Sequence, residues 1–104
     1  MDYHVHVTPS FKRDLKKLPR QVQSKIITCL EEMKADPRPS NVEKLSQAPE
    51  FLRKRIGHYR MIYTVDDGEQ IVVIARVRHR REAYKDLGQL DARLLFEAVK
   101  RKIS

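Results

Sequence analysis

The sequence predicts a small α+β domain with an antiparallel sheet, an N-terminal αα-hairpin packed on one face, and a C-terminal helix. Its 104 residues are the length of one domain, residues 1–104. Apolar residues recur at helical spacing in residues 11–33, and their period changes to two in residues 51–77. The predicted order is therefore β-α-α-β-β-β-α, and an antiparallel sheet with its helices on one face is the simplest such architecture.

The N-terminal third predicts a strand and two helices. Residues 3–7 alternate and are β-prone, which is typical of a strand. Thr8 provides an N-cap hydroxyl and Pro9 suits a first turn, so a helix begins there. Pro19 ends that helix and opens a second one, and this tight connection predicts an αα-hairpin. The buried stripe of the second helix is Val22, Ile26, Leu30 and Met33.

Three further strands are predicted after a proline-containing loop at residues 36–41. They span residues 51–56, 59–65 and 70–77, and the last is apolar enough to be central. Gly57-His58 turns the chain between the first two. Asp67-Gly68 is a strong hairpin signal, because both residues tolerate positive φ.

The C-terminal residues predict an extension of the domain. Residues 78–85 form an irregular basic segment that ends a core of residues 1–85. Residues 86–104 form a helical extension whose helix spans 90–103 and is capped by Asp91. We expect this amphipathic helix to pack on the sheet, although dimerisation and a position at the binding site of a partner protein are alternatives.

Composition restricts the function further. The net charge is +8, which implies an acidic partner such as nucleic acid, an acidic protein or an anionic surface. The single cysteine, Cys29, favours a reducing, cytoplasmic location and is expected in the core. The longest apolar run, residues 71–75, is too short to cross a membrane. The His4-x-His6 pair lacks a third ligand, so neither a metal nor another cofactor is predicted.

Positive charge is concentrated in residues 53–81. This stretch holds eight cations, seven of them arginine, and its three acids all lie beside the hairpin turn. Arginine presents a planar fork of donors that matches phosphate geometry. Arg53 and Arg55 share one face of their strand, Arg60 opens the next strand, and Arg80 follows the third. Three strands can therefore bring guanidinium groups to one concave side, which predicts a polyanion site rather than solvated surface charge.

Two sequence motifs resemble the RelE/ParE toxin superfamily. Lys44-Leu45 followed by residues 49–63 (Pro-Glu-Phe-Leu-Arg-Lys-Arg-Ile-Gly-His-Tyr-Arg-Met-Ile-Tyr) is similar to its central motif. Residues 77–84 (Val-Arg-His-Arg-Arg-Glu-Ala-Tyr) resemble its closing motif, an arginine followed several residues later by a tyrosine. The resemblance covers residues 1–85.

This resemblance implies a small cytoplasmic nuclease that enters the ribosomal A site and cuts mRNA there without a metal. The mRNA 2′-hydroxyl attacks the adjacent phosphate and leaves a 2′,3′-cyclic phosphate and a 5′-hydroxyl. It implies as partners a cognate antitoxin, the ribosome with its rRNA and mRNA, and operator DNA only through the antitoxin complex. No membrane partner is implied.

The resemblance also implies roles for individual residues. Arg53 and Arg55 match two basic strand residues, and Arg60 matches the arginine that holds the scissile phosphate. Arg80 matches the arginine that stabilises charge or protonates the leaving oxygen, and Tyr84 matches the tyrosine that stacks on a base. The RNA-binding residues predicted beside them are Lys54, Arg78, His79 and Arg81.

One departure from the family pattern leaves the general base open. Arg55 stands where the nearest enzymes carry lysine, and arginine, with a pKa above about 12, is a poor base. This leaves three options. Arg55 only stabilises charge and takes no proton, or another group such as His79, Glu50 or Tyr84 takes the proton, or the reaction is slow. The first option is preferred, with His79 as the next candidate. Two other functions stay open, a ParE-type DNA gyrase inhibitor and a degenerate toxin homologue that binds RNA without cutting it.

Overall fold

The computed structural model describes residues 2–103, which form one five-stranded sheet and three α-helices. The strands are β1 (His4–Val7), β2 (Val42–Lys44), β3 (Leu52–Ile56), β4 (Tyr59–Asp66) and β5 (Ile71–His79). The helices are α1 (Pro9–Lys16), α2 (Arg20–Met33) and α3 (Ala92–Ile103), and a 3-10 turn, Leu87–Gln89, precedes α3. No helix in residues 2–103 has the length and apolar character needed to span a membrane.

The sheet is mixed, which corrects the expectation of a purely antiparallel one. Its spatial order is β1-β5-β4-β3-β2, and β1 pairs with β5 in parallel, whereas every other pair is antiparallel. The alternating pattern of residues 3–7 predicted a strand but carries no information about strand direction. The αα-hairpin lies between β1 and β2 and packs across one face of the sheet, and the strands from β2 to β5 then alternate in direction.

The αα-hairpin packs on one face of the sheet, as predicted. Phe11, Ile26 and Met33 from the two helices are at most 1% exposed and belong to one core cluster with Met61 and Tyr63 of β4. Cys29 lies in the same core, as expected for a small apolar side chain. The Tyr63 hydroxyl donates a 2.7 Å hydrogen bond to the carbonyl oxygen of Pro37, which satisfies its buried polar group.

The C-terminal helix packs on the opposite face, so the prediction that all helices share one face is wrong. Leu95, Phe96 and Val99 of α3 contact Ile71 and Val73 of β5. Residues 71–75 are all buried, and alternating side chains in this run face opposite sides of the sheet. A strand that is apolar on both faces needs cover on both, which explains the position of α3.

Three local features differ from the prediction. β2 lies just beyond the predicted loop, pairs with β3, and was not foreseen. β5 continues to His79, so the segment after it is shorter than predicted. In the β4–β5 turn the residue with positive φ is Gln70, at 54°, and not Gly68. The turn before β4 does use glycine, because Gly57 has a φ of 59°.

A β-bulge at Ala75 and the start of α1 close the open edge of β5. Tyr63 pairs with Ile74 while Ile62 pairs with Arg76, so Ala75 has no partner in β4. β1 ends opposite Ile74, and the Thr8 hydroxyl then donates a 2.7 Å hydrogen bond to the Ala75 carbonyl oxygen. The same hydroxyl oxygen accepts the N-cap hydrogen bond from the amide of Phe11, at 3.0 Å, as the sequence predicted.

Asp14 holds α1 against the same edge. Its carboxylate accepts hydrogen bonds from Nε and Nη2 of Arg76, at 2.8 and 3.0 Å, and from the amide of Val77, at 3.2 Å. Asp14 is only 7% exposed, so three donors satisfy a charge that has lost most of its water. The ion pair therefore links the first helix to the strand that precedes the basic segment.

A surface ion pair should make stability fall at low pH. The hydrogen bonds from Arg38 and then from Tyr3 lower the pKa of the Asp67 carboxyl below 3.8. The ionised form of Asp67 is therefore favoured in the folded state. Its contribution to the free energy of unfolding is fully present above the ordinary pKa and disappears as the pH falls through the folded-state pKa. We expect Asp67→Asn to reduce the acid sensitivity of the unfolding midpoint below about pH 4. Circular dichroism during denaturation measures this, with Glu69→Gln in the same turn as control, and equal pH profiles for wild type and Asp67→Asn would contradict it.

Candidate functional site

An open cavity of about 450 Å³ lies at the end of the sheet beside the β3–β4 turn. We call it the arginine cavity. Its lining residues are Asn41, Glu43, Arg53, Arg55, Arg60, Arg80, Arg81 and Tyr84. All five residues to which the resemblance assigns catalytic roles are therefore brought together at one place.

Strand register brings the arginines to this one face. Arg55 pairs directly with Arg60 across β3 and β4, and directly opposed residues point to the same side of a sheet. Arg53 lies two residues before Arg55 and therefore shares that side. The amide of Arg80 donates a 2.7 Å hydrogen bond to the carbonyl oxygen of His58, which holds the chain after β5 against the β3–β4 turn.

Arg53 connects two neighbouring side chains in the cavity. Its Nη2 contacts Oε2 of Glu43 at 2.7 Å, and the two residues are register partners in β2 and β3. Its Nη1 donates a hydrogen bond to the Tyr84 hydroxyl, and its guanidinium lies 5.6 Å from the centre of the Tyr84 ring. The hydrogen bonds to Glu43 and then Tyr84 raise the pKa of Arg53, so it keeps its charge.

Arg60 is fixed by the backbone. Its Nη1 donates hydrogen bonds to the carbonyl oxygens of Gly57 and Tyr59, at 3.1 and 3.0 Å. These bonds use one nitrogen of the guanidinium and leave its other donors for a ligand. Arg60 is half-buried, whereas Arg55, Arg80 and Arg81 are exposed at the rim. The cavity thus contains two guanidinium groups held by hydrogen bonds, those of Arg53 and Arg60, beside three more accessible ones.

The charge of the cavity selects an anion. Five of its eight lining residues are arginine, and Glu43 is the single carboxylate among them. Like charges placed this close raise the positive potential and favour a ligand that neutralises them. The planar donor forks match the oxygens of a phosphodiester or a carboxylate.

Of the four predicted RNA-binding residues, only Arg81 lines the arginine cavity. Lys54 points to the opposite face, because it pairs with Met61 of the hairpin-side core, and its Nζ donates a 3.4 Å hydrogen bond to the carbonyl oxygen of Ser40. His79 pairs with Tyr59 on that same opposite face, and the two rings meet edge to face at 5.6 Å. His79 is therefore not positioned as a base for a ligand in the cavity.

Arg78 has the cavity-side orientation but a different environment. It pairs with Arg60, yet its side chain lines a separate cavity next to α3. Its Nη2 donates a 3.0 Å hydrogen bond to the carbonyl oxygen of Lys85. Burial, followed by the nearby charge of Arg76, lowers the pKa of Arg78. The structure therefore gives Arg78 a role in holding the segment after β5.

Two lining residues were missed by the sequence interpretation. Asn41 and Glu43 reach the cavity because β2 pairs with the outer edge of β3. A three-residue strand of sequence Val-Glu-Lys is too short to show a period. Glu50, the other acid considered near the motif, is not among the residues that line the cavity.

Comparison with known protein families identifies related chains. A family described as "ParE toxin of type II toxin-antitoxin system, parDE" matches residues 5–84. The chain is 30% identical over 89 residues to the putative toxin RelE1 of Methanocaldococcus jannaschii, covering 83% of this chain and 99% of that protein. It is 33% identical over 87 residues to toxin RelG of Mycobacterium tuberculosis, covering 82% of this chain and 99% of that protein.

Solved structures share the fold. The toxin–antitoxin complex RelBE2 from Mycobacterium tuberculosis matches with a TM-score of 0.69 at 30% identity, over 77% of this chain and 100% of that chain. The isolated E. coli RelE toxin matches with a TM-score of 0.63 at 22% identity, over 96% of this chain and 98% of that chain. The match to the isolated toxin extends further along this sequence than the match to the complex.

Proposed function

Because the chain belongs to the RelE/ParE family, the toxins of type II toxin–antitoxin systems, we propose that it is a RelE-type endoribonuclease. Its substrate in this proposal is mRNA held in the ribosomal A site of the cytoplasm. The observation that carries the proposal is the arginine cavity, whose five guanidinium groups suit a phosphodiester.

The proposed reaction is an internal transfer of a phosphodiester bond. The 2′-oxygen of the RNA forms a bond to the adjacent phosphorus while the bond from phosphorus to the 5′-oxygen breaks. A 2′,3′-cyclic phosphate and a 5′-hydroxyl result, and one proton leaves the 2′-oxygen while another reaches the 5′-oxygen. Charge develops on the phosphorane, and Arg60 lowers its energy because its guanidinium is held in place before the reaction begins. The exposed Arg55 adds positive charge beside it.

We propose that a lining residue takes the proton, and the candidates besides the arginines are Glu43 and Tyr84. The arginines are poor bases because their pKa lies above about 12. Glu43 is the one carboxylate in the cavity, and its charged oxygen already lies beside Arg53. We assign Glu43 as the proton acceptor, with Arg80 donating a hydrogen bond to the leaving oxygen and Arg55 only stabilising charge.

The open shape of the arginine cavity supports ribosome dependence as part of this proposal. Arg55, Arg80 and Arg81 are exposed, and they provide charge without enclosing the RNA. In-line alignment of the 2′-oxygen must then come from another source, and a programmed ribosome holds the mRNA in a fixed shape. We therefore expect the isolated toxin to cut free RNA poorly.

A cognate antitoxin is the proposed protein partner. The related RelBE2 structure is a toxin–antitoxin complex, and so is the archaeal RelE–RelB structure from Pyrococcus horikoshii. The positive arginine cavity is a suitable target for an acidic antitoxin segment, whose carboxylates would occupy the phosphate positions. In this proposal, operator DNA is bound only through the antitoxin complex.

Inhibition of DNA gyrase is the second candidate, favoured by the ParE description of the matching family. Both activities use this fold, so the fold alone does not separate them. A gyrase inhibitor has no need for five arginines that line one cavity, which is why cleavage of mRNA is the preferred proposal.

Two experiments test the proposal. The first is primer extension on cellular mRNA after brief induction of the chain. The second repeats the assay in a purified translation system with and without ribosomes. Breaks at A-site codons that require the ribosome would support a RelE-type nuclease. Intact mRNA in arrested, filamentous cells with DNA damage would instead support gyrase inhibition. Intact mRNA without arrest would support a binding-only homologue.

A further inference from the structure

Asn41 is the one residue with a side-chain amide among the eight that line the arginine cavity. It precedes β2, and its carbonyl oxygen accepts a 3.5 Å hydrogen bond from the backbone amide of Arg55. Arg55 in turn pairs with Arg60 across β3 and β4. Asn41, Arg55 and Arg60 therefore form one row across three neighbouring segments of the sheet, with the neutral amide at its outer end.

The backbone around Asn41 fixes the place of this side chain. Its φ is 67°, in the left-handed region, which asparagine adopts more readily than most residues with a side chain. Nζ of Lys54 donates a 3.4 Å hydrogen bond to the carbonyl oxygen of Ser40, so the chain is held just before this position as well. Within residues 2–103 the side-chain amide of Asn41 has no hydrogen-bond partner, and its donors and acceptor are available to a ligand.

We propose that Asn41 is a positioning residue that holds the ribose 2′-hydroxyl beside the scissile phosphate and thereby distinguishes RNA from DNA. This inference rests on the proposed function and adds the group that orients its nucleophile. A 2′-hydroxyl both donates and accepts hydrogen bonds, and an asparagine amide offers both a donor group and an acceptor oxygen. Arginine only donates and an ionised carboxylate only accepts, so neither of the charged lining types matches a hydroxyl in both ways.

The place of Asn41 in the cavity suits this contact. A phosphate bound between Arg55 and Arg60 lies in the same row as Asn41, and neighbouring strands are about 4.8 Å apart. In RNA the 2′-oxygen is carried by the carbon next to the one that bears the 3′-oxygen, so it lies within one strand spacing of that phosphate. Glu43, the proposed proton acceptor, follows Asn41 by two residues and lines the same cavity. A hydroxyl held by Asn41 is therefore near both the phosphorus that it attacks and the carboxylate that takes its proton.

Two positions with left-handed backbone allow a matched comparison. Asn41→Gly removes the amide and suits the φ of 67°. Gln70→Gly makes the same kind of change in the β4–β5 turn, where φ is 54°, and Gln70 does not line the arginine cavity. Both variants lose a polar side chain without gaining backbone strain, so we expect both to give the circular dichroism spectrum of the wild type.

The first test measures the binding of short oligonucleotides that end in a 3′-phosphate and whose last sugar is either ribose or deoxyribose. They lack the 5′-oxygen leaving group, so neither is cut. We expect the wild type and Gln70→Gly to bind the ribose probe about three to ten times more tightly, the usual effect of one hydrogen bond. Asn41→Gly should bind both probes equally. Equal affinities in the wild type, no binding of either probe, or an unchanged preference in Asn41→Gly would overturn the inference.

The second test measures single-turnover cleavage on programmed ribosomes at several toxin concentrations. We expect Asn41→Gly to lower the maximal rate roughly tenfold with an unchanged half-saturating concentration, because it misplaces the nucleophile and leaves the other contacts intact. Gln70→Gly should cleave as the wild type does. A maximal rate of Asn41→Gly equal to that of the wild type would overturn the positioning role. A wild type that leaves mRNA intact but prefers the ribose probe would end the proposed function while the contact to the 2′-hydroxyl stands.

Discussion

Arg60→Ala should reduce ribosome-dependent mRNA cleavage by about 10² to 10³, which is the usual cost of removing one positioned donor for transition-state charge. Hydrogen bonds to two backbone carbonyl oxygens hold the guanidinium of Arg60 in place. A group that is already oriented needs no reorganisation when charge develops on the phosphorus. Arg60→Lys keeps the charge but not the planar fork, so it should recover only part of the rate.

The measurement is single-turnover cleavage of mRNA on programmed ribosomes, with thermal unfolding measured on the same preparations. Arg93→Ala is the matched control, because Arg93 lies on α3, is 84% exposed, and does not line the arginine cavity. Its rate should equal that of the wild type. Full activity of a folded Arg60→Ala protein would remove the nuclease assignment, and growth arrest in cells provides a second readout of the same result.

Asp14→Ala should lower the free energy of unfolding by about 2–3 kcal/mol, less than the roughly 3–5 kcal/mol for a fully buried ion pair, because the Arg76 side chain is 31% exposed. The substitution leaves two guanidinium nitrogens of Arg76 and the amide of Val77 without their acceptor. It also releases α1 from the edge of β5. Since domains of this size have total stabilities of roughly 5–15 kcal/mol, the loss is a large part of the whole.

Urea denaturation at neutral pH measures this loss. Glu31→Ala is the control, because Glu31 pairs with Lys34 at 2.9 Å on the surface and is 65% exposed. An exposed pair contributes about 0–1 kcal/mol, so the control should unfold close to the wild-type midpoint. Similar midpoints for the two variants would show that Asp14 does not anchor α1.

Much of the fold could be predicted because local signals and periodicity agreed. Thr8 and Pro9 located the start of α1, and the change of period after Phe51 located the sheet. The side of the sheet that α3 covers could not be predicted in this way. An amphipathic stripe shows that a helix is buried, but the partner surface is a tertiary property. The uninterrupted apolar run of β5 was the signal that both faces needed cover.

The arginine cavity was predictable because strand alternation is a strict rule. Placing Arg53 and Arg55 on one face also places Lys54 on the other, and the structure has this arrangement. The same rule separates His79 from Arg78 and Arg80. The position of Glu43 could not be predicted, because it depends on how β2 pairs with β3. A strand of three residues is too short to indicate that register from its sequence.

The pairing of β1 with β5 affects when the protein becomes complete during synthesis. His4 lies beside Ile71, so the first strand waits unpaired while more than sixty further residues are added. Arg80, Arg81 and Tyr84 follow β5 and are made later still. A nascent chain that stops before β5 therefore has a helical hairpin and an unfinished sheet, and one that stops before residue 84 has no assembled cavity. Translation that ends before residue 84 thus yields a fragment without the arginine cavity, which is assembled only after Arg80, Arg81 and Tyr84 have left the ribosome.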